Sequence, residues 1–263
     1  MTARQIVKKL LHSYCPGLSG WFKYFGTRVY FPNRAWIFDL ACQQGIYEAE
    51  LLKLLMGLVR PGSWYFDVGA NIGLMSVPIL KTVRDCHVLS LEPSSNSSPF
   101  LERTWQESPW RQRWVVKRKA VGTQCGQVEF CVGPPRLGGF DGLRHTGRVP
   151  CVAKELTSVT TLDGEWIALG RPTVSCVKLD IEGAELEALS GGRELLATGR
   201  PYVILEWYPE NFRVFGHAAE DLLKLSDEIG YDLVALPSLN PVGTAALMAA
   251  HVQMTASYML APR

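Results

Sequence analysis

The sequence predicts an α/β protein: a mainly parallel, doubly wound sheet covered by helices on both faces, preceded by a helical extension. Three observations predict it. Beyond residue 60, short apolar runs of buried-strand length alternate with stretches of helical apolar spacing. A glycine-bearing loop joins the first such run to the first such helix, which is where parallel sheets bind ligands. One segment, 121–162, lacks helical spacing and is rich in glycine, as expected of an insertion between two core strands.

Residues 1–60 read mainly as helix with one extended interruption. Ile6, Leu10 and Leu11 share one face of a basic amphipathic helix with Arg4, Lys8 and Lys9, and that face is expected to pack on the domain. Residues 28–31, stopped by Pro32-Asn33, read as a short strand, and 47–59 as a helix ended by Pro61-Gly62. Core strands follow at 64–68, 88–91, 114–116, 174–181, 202–207 and 231–236. Helices at 74–83, 99–106, 184–196 and 218–229 separate most of them, so consecutive strands run parallel. Inside the insertion, 128–132 and 149–153 are strand-like. No repeat or low-complexity linker divides the chain. The expected organisation is an extension over 1–60 packed on a core domain over 61–263.

Composition narrows the function classes. The 263 residues carry 27 Lys plus Arg against 25 Asp plus Glu, and 47% are hydrophobic, which excludes disorder, collagen and coiled coil. The net charge of +2 argues against nucleic acid as an obligatory partner. No apolar run approaches the roughly 20 residues of a membrane helix, and Leu10-Leu11 is too short for a secretory core. A cytoplasmic protein is expected, with at most a weak peripheral membrane contact through residues 6–11 and Trp21-Phe22-Lys23. The seven cysteines, Cys15, Cys42, Cys86, Cys125, Cys131, Cys151 and Cys176, form no C-x-x-C pair and have no histidine placed for zinc, so they read as reduced thiols.

The loop Phe66-Asp67-Val68-Gly69-Ala70-Asn71-Ile72-Gly73 spaces its glycines G-x-x-x-G rather than the G-x-G-x-x-G of a pyrophosphate site. It opens on Asp67, which repels phosphate and attracts an ammonium group. Nineteen residues after Gly73, Glu92 ends the second strand, where a carboxylate can accept two hydrogen bonds from a ribose diol. Together these describe a nucleoside with a cationic, amino-acid-like tail and no phosphate. S-adenosylmethionine fits that description better than NAD.

A second motif, Lys178-Leu179-Asp180-Ile181-Glu182-Gly183-Ala184-Glu185, places acids at the end of the fourth core strand and the start of the next helix. With the glycine loop, Gly45-Ile46-Tyr47-Glu48, Leu91-Glu92-Pro93, Lys119-Ala120-Val121-Gly122, Arg200-Pro201 and Ile204-Leu205-Glu206, it resembles the FkbM family of S-adenosylmethionine-dependent methyltransferases from about residue 45 onward. The resemblance implies a class I methyltransferase fold, a Rossmann-like seven-stranded sheet with residues 257–260 as a last, antiparallel strand. It implies S-adenosylmethionine as cofactor, held by Asp67, Gly69, Ala70, Asn71 and Gly73 at the methionine end, Glu92 at the ribose and Ala120-Val121 at the adenine edge, with Glu48 and Asp180 also at the site. Lys119 departs from the pattern, since the family often has a polar residue such as Asn there. The acceptor implied is a hydroxyl of a sugar, glycolipid or natural product, so the partner is a small molecule or glycan; a homodimer is compatible with this reading.

Because a sulfonium methyl is already electrophilic, the protein has to align the reacting atoms, exclude water and accept the alcohol's proton. Asp180 is the first candidate base by position and Glu182 the second. His145, in the glycine-rich insertion, has a better-matched pKa, and His217 follows the fifth core strand. Asp180, Glu182 and Glu206 offer oxygen ligands to a hard divalent ion, but the motif is accounted for without one and no metal is expected.

The rival readings are a nucleic-acid or protein methyltransferase and a non-catalytic module that binds the cofactor. The first rests on Trp105, Trp110 and Trp114 interleaved with Arg111, Arg113, Lys117, Arg118 and Lys119. Against the last, Asp67, Glu92 and Asp180 are all present.

Overall fold

The computed structural model describes Ala3, Ile6, Val7, Leu10 and residues 20–263. Ile6, Val7 and Leu10 are helical and exposed; Arg4, Lys8, Lys9, Leu11 and Cys15 lie outside the described residues. From residue 20 the chain forms a hairpin, β1 (Gly20–Tyr24) and β2 (Thr27–Phe31), where only the second strand was expected. Its two-residue turn puts Phe25 at φ +46 and Gly26 at φ +94, the double left-handed geometry that matches strand twist. The strand β1 is held by ring packing: the Phe22 ring lies tilted against two others, 5.8 Å from Phe31 and 5.4 Å from Phe38.

Two helices follow, α1 (Trp36–Gln44) and α2 (Ala49–Leu58), separated by Gly45 at φ +78 and Glu48 at φ +44. Then come β3 (Trp64–Val68), α3 (Ser76–Thr82), β4 (His87–Leu91), α4 (Ser98–Gln106) and β5 (Trp114–Lys117). The insertion is a separate three-stranded sheet of β6 (Ala120–Val121), β7 (Gly126–Val132) and β8 (Ala153–Thr160), in the order β6-β8-β7. The core resumes with α5 (Leu162–Ala168), β9 (Val174–Leu179), α6 (Glu185–Ser190), β10 (Tyr202–Glu206), α7 (Pro209–Phe212), α8 (Asp221–Glu228) and β11 (Tyr231–Ala235). A two-residue strand β12 (Asn240–Pro241), helix α9 (Ala245–His251) and β13 (Ser257–Pro262) complete it.

The main sheet has the order β12-β11-β13-β10-β9-β3-β4-β5. Six long strands run parallel, and β13 lies antiparallel between β10 and β11. The expected seven strands are present, and β12 adds an eighth along the edge of β11. Helix α6 stops at Ser190 rather than 196, because Gly191 approaches the carbonyl of Gly122 so closely that a Cβ would sit 2.1 Å from its oxygen. The reading of all cysteines as thiols is corrected: Cys131 and Cys151 are joined as a disulfide, their Cα atoms 5.6 Å apart. The ladder that pairs Val132 with Ala153, extended by the Val152 amide donating to Val132, brings the two sulfurs together. Among the described residues, Cys86, Cys125 and Cys176 are free. No helix among the described residues is long and apolar enough to cross a membrane.

Strand alternation sorts side chains onto two faces. Phe66, Val68, Leu89, Leu91, Val177, Leu179, Val203 and Leu205 share one core with Trp166 and Leu222. Tyr65, Val88, Cys176 and Ile204 point the other way, into a core completed by Phe38, Leu52, Leu55 and Ile79. The same period of two assigns Asp67, Ser90, Lys178 and Glu206 to this second face, near the strands' carboxyl ends. There α1 and α2 cover the sheet, leaving a polar cleft.

Candidate functional site

The cleft opens where the strand order reverses, between β3 and β9. The turn after β3 and the loop after β9 touch there: the Asp180 amide donates to Val68 at 3.0 Å, and a Cβ on Gly69 would sit 1.8 Å from the Asp180 carbonyl oxygen. Gly69, at φ +78, is therefore dictated by this approach. Three non-glycine residues of the cleft, Glu48, Asn71 and Glu182, also have left-handed φ values of +44, +50 and +56, a concentration typical of functional sites.

Asp67 is fully buried in this wall. Ser76 donates to its Oδ2, while Oδ1 and the nearby Tyr65 hydroxyl are buried without forming a hydrogen bond of ordinary geometry. Burial raises the Asp67 pKa, with Lys178 acting in the opposite direction. Lys178 stands opposite Asp67 in the β3–β9 register and reaches Asp180 Oδ2 at 2.8 Å. Burial works against its charge, but Asp180, Asp67 and Glu48 outweigh burial and raise its pKa. Beside them burial lifts Glu48, whose carboxylate meets the Tyr47 phenol, and holds Tyr47 well above the usual phenol range.

Glu92 follows β4. Its carboxylate accepts from the amides of Asn71 at 2.8 Å and Ser94 at 2.9 Å, and burial pushes it up to about 7 against both bonds. Ala120 and Val121 are buried and line the cleft next to it. Lys119 also lines it, but its ammonium turns to Glu165 at 3.1 Å.

On the other side, Glu182 accepts from Arg148 Nη1 at 2.8 Å and Asn211 Nδ2 at 2.9 Å. Burial raises it to about 8 despite Arg148. The Arg148 guanidinium lies over Phe140 at 4.6 Å and Tyr208 at 4.9 Å. Glu206 ends β10 and is raised to about 7 by burial and by the charge of Asp180. Carboxylate oxygens of Asp180, Glu182 and Glu206 lie within 4.8 Å of one another. Lys178 and Arg148 place positive charge beside two of them, Asp180 and Glu182. Trp36 from α1 and Phe140 from the insertion, with ring centroids 5.3 Å apart, roof this half.

The structure thus brings together Glu48, Asp67, Gly69, Ala70, Asn71, Glu92, Ala120, Val121, Asp180 and Glu182. It does not bring Gly73 or His145 to the cleft. Gly73, at φ +91, packs under Leu101 and Trp114, which a Cβ would meet at 3.1 and 3.2 Å. His145 is exposed and bonded through its ring to the Val149 carbonyl at 2.9 Å, because the insertion turns it outward. His217 pairs with Glu187 at 3.0 Å in a separate shallow depression. The basic and aromatic stretch is consumed internally: Trp114 is buried, Arg113 donates to Cys86 and Leu80 carbonyls, Lys117 and Lys119 hold Glu165, and Arg118 holds Glu155.

Sequence reasoning missed the site roles of Lys178, Arg148, Trp36 and Phe140. A lysine inside the run Val174-Ser175-Cys176-Val177-Lys178-Leu179 was a legible signal, since a buried lysine requires partner carboxylates. The other three come from segments whose path depends on tertiary packing.

The model of the methyltransferase FkbM domain matches residues 67–233. Similar solved structures include the methyltransferase FkbM from Methylobacillus flagellatus, 18% identical with a TM-score of 0.49, the match covering 85% of this chain and 52% of that one. The chain therefore spans about half the length of that protein. The TehB-like SAM-dependent methyltransferase from Corynebacterium glutamicum is 13% identical, with coverages of 86% and 94% and a TM-score of 0.44. A SAM-dependent O-methyltransferase from Thermotoga maritima is 15% identical, with coverages of 96% and 79% and a TM-score of 0.43. No curated protein is significantly similar in sequence. With the matched domain spanning more than half of the chain and the strand order of a class I methyltransferase, the chain belongs to the FkbM family of S-adenosylmethionine-dependent methyltransferases.

Proposed function

We propose that the chain methylates a hydroxyl of a sugar, glycolipid or similarly polyhydroxylated acceptor. When bound, S-adenosylmethionine supplies an electrophilic methyl group on a sulfonium. The residues present suit it. Asp67 keeps a buried oxygen with free lone pairs for the cofactor's ammonium group, and Gly69, Ala70 and Asn71 form the adjoining wall. Each Glu92 oxygen, having accepted one backbone N–H, retains a lone pair for one hydroxyl of the ribose diol. Ala120 and Val121 supply an apolar edge for the adenine, and Gly73 serves packing instead.

One observation carries the acceptor class: three carboxylates within 4.8 Å of one another line the same cleft as the Trp36–Phe140 pair. Adjacent carboxylates accept hydrogen bonds from adjacent hydroxyls, and aromatic rings cover the apolar C–H face of a sugar. Such a lining repels a phosphate backbone, which disfavours nucleic acid. The protein's remaining work is to hold the acceptor oxygen in line, keep water out under the roof and receive the hydroxyl proton at a carboxylate, with Asp180 and Glu182 the candidates from the strand-end motif.

The test is transfer from S-adenosylmethionine carrying a ¹³C-methyl group to a panel of methyl glycosides, glycolipids, primary amines and RNA. The expected product is a methyl ether, identified by NMR of the labelled methyl. Labelling confined to amines or RNA overturns the proposal.

A further inference from the structure

Seven carboxylates line the cleft: Glu48, Asp67, Glu92, Asp141, Asp180, Glu182 and Glu206. Among the described residues, six of them have a hydrogen-bond partner. Ser76 donates to Asp67, two amides to Glu92, and Ser94, Asn96 and the Gly133 amide to Asp141. Lys178 holds Asp180, Arg148 and Asn211 hold Glu182, and Glu48 meets the Tyr47 phenol. The Glu206 carboxylate has none.

We propose that Glu206, rather than Asp180 or Glu182, is the catalytic base that takes the proton of the acceptor hydroxyl. This rests on the hydroxyl-methylation reading and narrows it. Glu206 is the last residue of β10, beside the strand that ends at the switch point, and strand alternation puts it on the face that carries Asp67 and Lys178. The carboxylate best suited to take a proton is the one whose protonation breaks no ion pair or hydrogen bond already made. Protonating Asp180 weakens its ion pair with Lys178, and protonating Glu182 weakens its bonds from Arg148 and Asn211. Protonating Glu206 breaks no hydrogen bond among the described residues, and its burial already favours the neutral acid. In the step, the acceptor's proton passes to a Glu206 oxygen as the O–CH₃ bond forms and the CH₃–S bond breaks, its electron pair staying on sulfur. The proton then leaves to solvent through the open cleft.

The experiment compares wild type, Glu206→Gln, Glu206→Asp and Asp180→Asn. In protein labelled with ¹³C at glutamate carboxyls, without cofactor, a resonance with a midpoint near 7 should vanish in Glu206→Gln and persist in Asp180→Asn. Calorimetric binding of S-adenosylmethionine to Glu206→Gln should stay within about threefold of wild type, since a base that touches only the acceptor contributes little to cofactor affinity. Transfer to the glycoside panel should fall at least about a hundredfold, the usual scale for a general base, with partial rescue in Glu206→Asp. Four results overturn the proposal: Glu206 titrating in the ordinary carboxylate range, cofactor binding lost in Glu206→Gln, Mg²⁺ binding to wild type but not Glu206→Gln in calorimetry, or transfer unaffected by the variant. If wild type methylates amines only, the hydroxyl reading fails by itself, while the titration and binding data still report separately on Glu206.

Discussion

The two halves of the cleft are built by different means. Around Asp67, Gly69 and Glu92, the wall comes from residues 67–71 and 92–94 at the ends of two adjacent strands, and backbone amides hold the carboxylate. Around Glu182 and Glu206, it is gathered from α1, the insertion, the loop after β9, the end of β10 and α7, and side chains hold one another. The first half is fixed by the sheet itself. The second rests on side chains that can be exchanged without touching the sheet.

That contrast can be broken most directly at Gly69. Gly69→Ala sets a Cβ against the Asp180 carbonyl in a left-handed conformation and should cost about 4 kcal/mol or more, read as a loss of thermal stability together with cofactor binding. An unchanged melting temperature would show that the wall can shift. Next in size is Lys178→Met, which leaves Asp67 and Asp180 facing each other and should cost roughly 3 kcal/mol at pH 8. The loss should shrink as pH falls, because the raised Asp67 and Glu48 carboxylates take up protons before ordinary ones do.

A pH series sharpens the cofactor half further. Glu92 must be ionised to accept two hydroxyl donors, and burial lifts it to about 7. Below that pH a proton competes with the cofactor, so S-adenosylmethionine affinity should fall about tenfold per pH unit. Calorimetry between pH 5.5 and 8 should show the slope in wild type and a flat line for Glu92→Gln. The same shift sets the pH dependence of stability without cofactor. Glu92 and Glu182 have folded pKa values of about 7 and about 8, above the ordinary 4.5, so the folded chain binds more protons than the unfolded one in this window. Their stabilisation is full below the ordinary carboxylate pKa and is lost as pH rises to about 8. The melting temperature should therefore decline from pH 5 to pH 8, and a rise would overturn the assignment.

The smallest effect is expected at Arg148. Arg148→Ala removes one donor to Glu182 and the stack between Phe140 and Tyr208. It should leave cofactor affinity almost unchanged while slowing transfer by roughly 10- to 100-fold, the worth of a hydrogen bond to a charged group. Equal losses in binding and transfer would erase the division between the halves.

The same division explains what could be read in advance. Asp67, Gly69 and Asp180 stand at strand ends within contiguous motifs, and Glu92 follows at a fixed spacing, so local pattern and fold topology suffice to place them. Gly73 belongs to the same loop, yet its role is to admit Leu101 and Trp114, which no spacing rule distinguishes from a ligand contact. His145 and Arg148 lie three residues apart in the insertion, and which one faces the cleft is settled by the β7–β8 pairing and the link between Cys131 and Cys151. The hairpin β1–β2 escaped the helical reading of residues 1–60 because its first strand depends on rings of Phe31 and Phe38 supplied from elsewhere. Lys178 was legible but unread: its parity with Asp67 on the next strand places a cation beside that acid.

The position of β13 has a consequence for how the chain is made. It occupies the gap between β10 and β11, pairing with both along its length. During synthesis those two strands emerge first and cannot close on each other, so each presents an unpaired edge until residues 257–262 leave the ribosome. The left flank of the sheet is thus sealed last, by a segment that joins β10 across about fifty residues of intervening chain. A chain halted before Ser257 would carry two open strand edges flanking an apolar core, the kind of surface that recruits chaperones or aggregates.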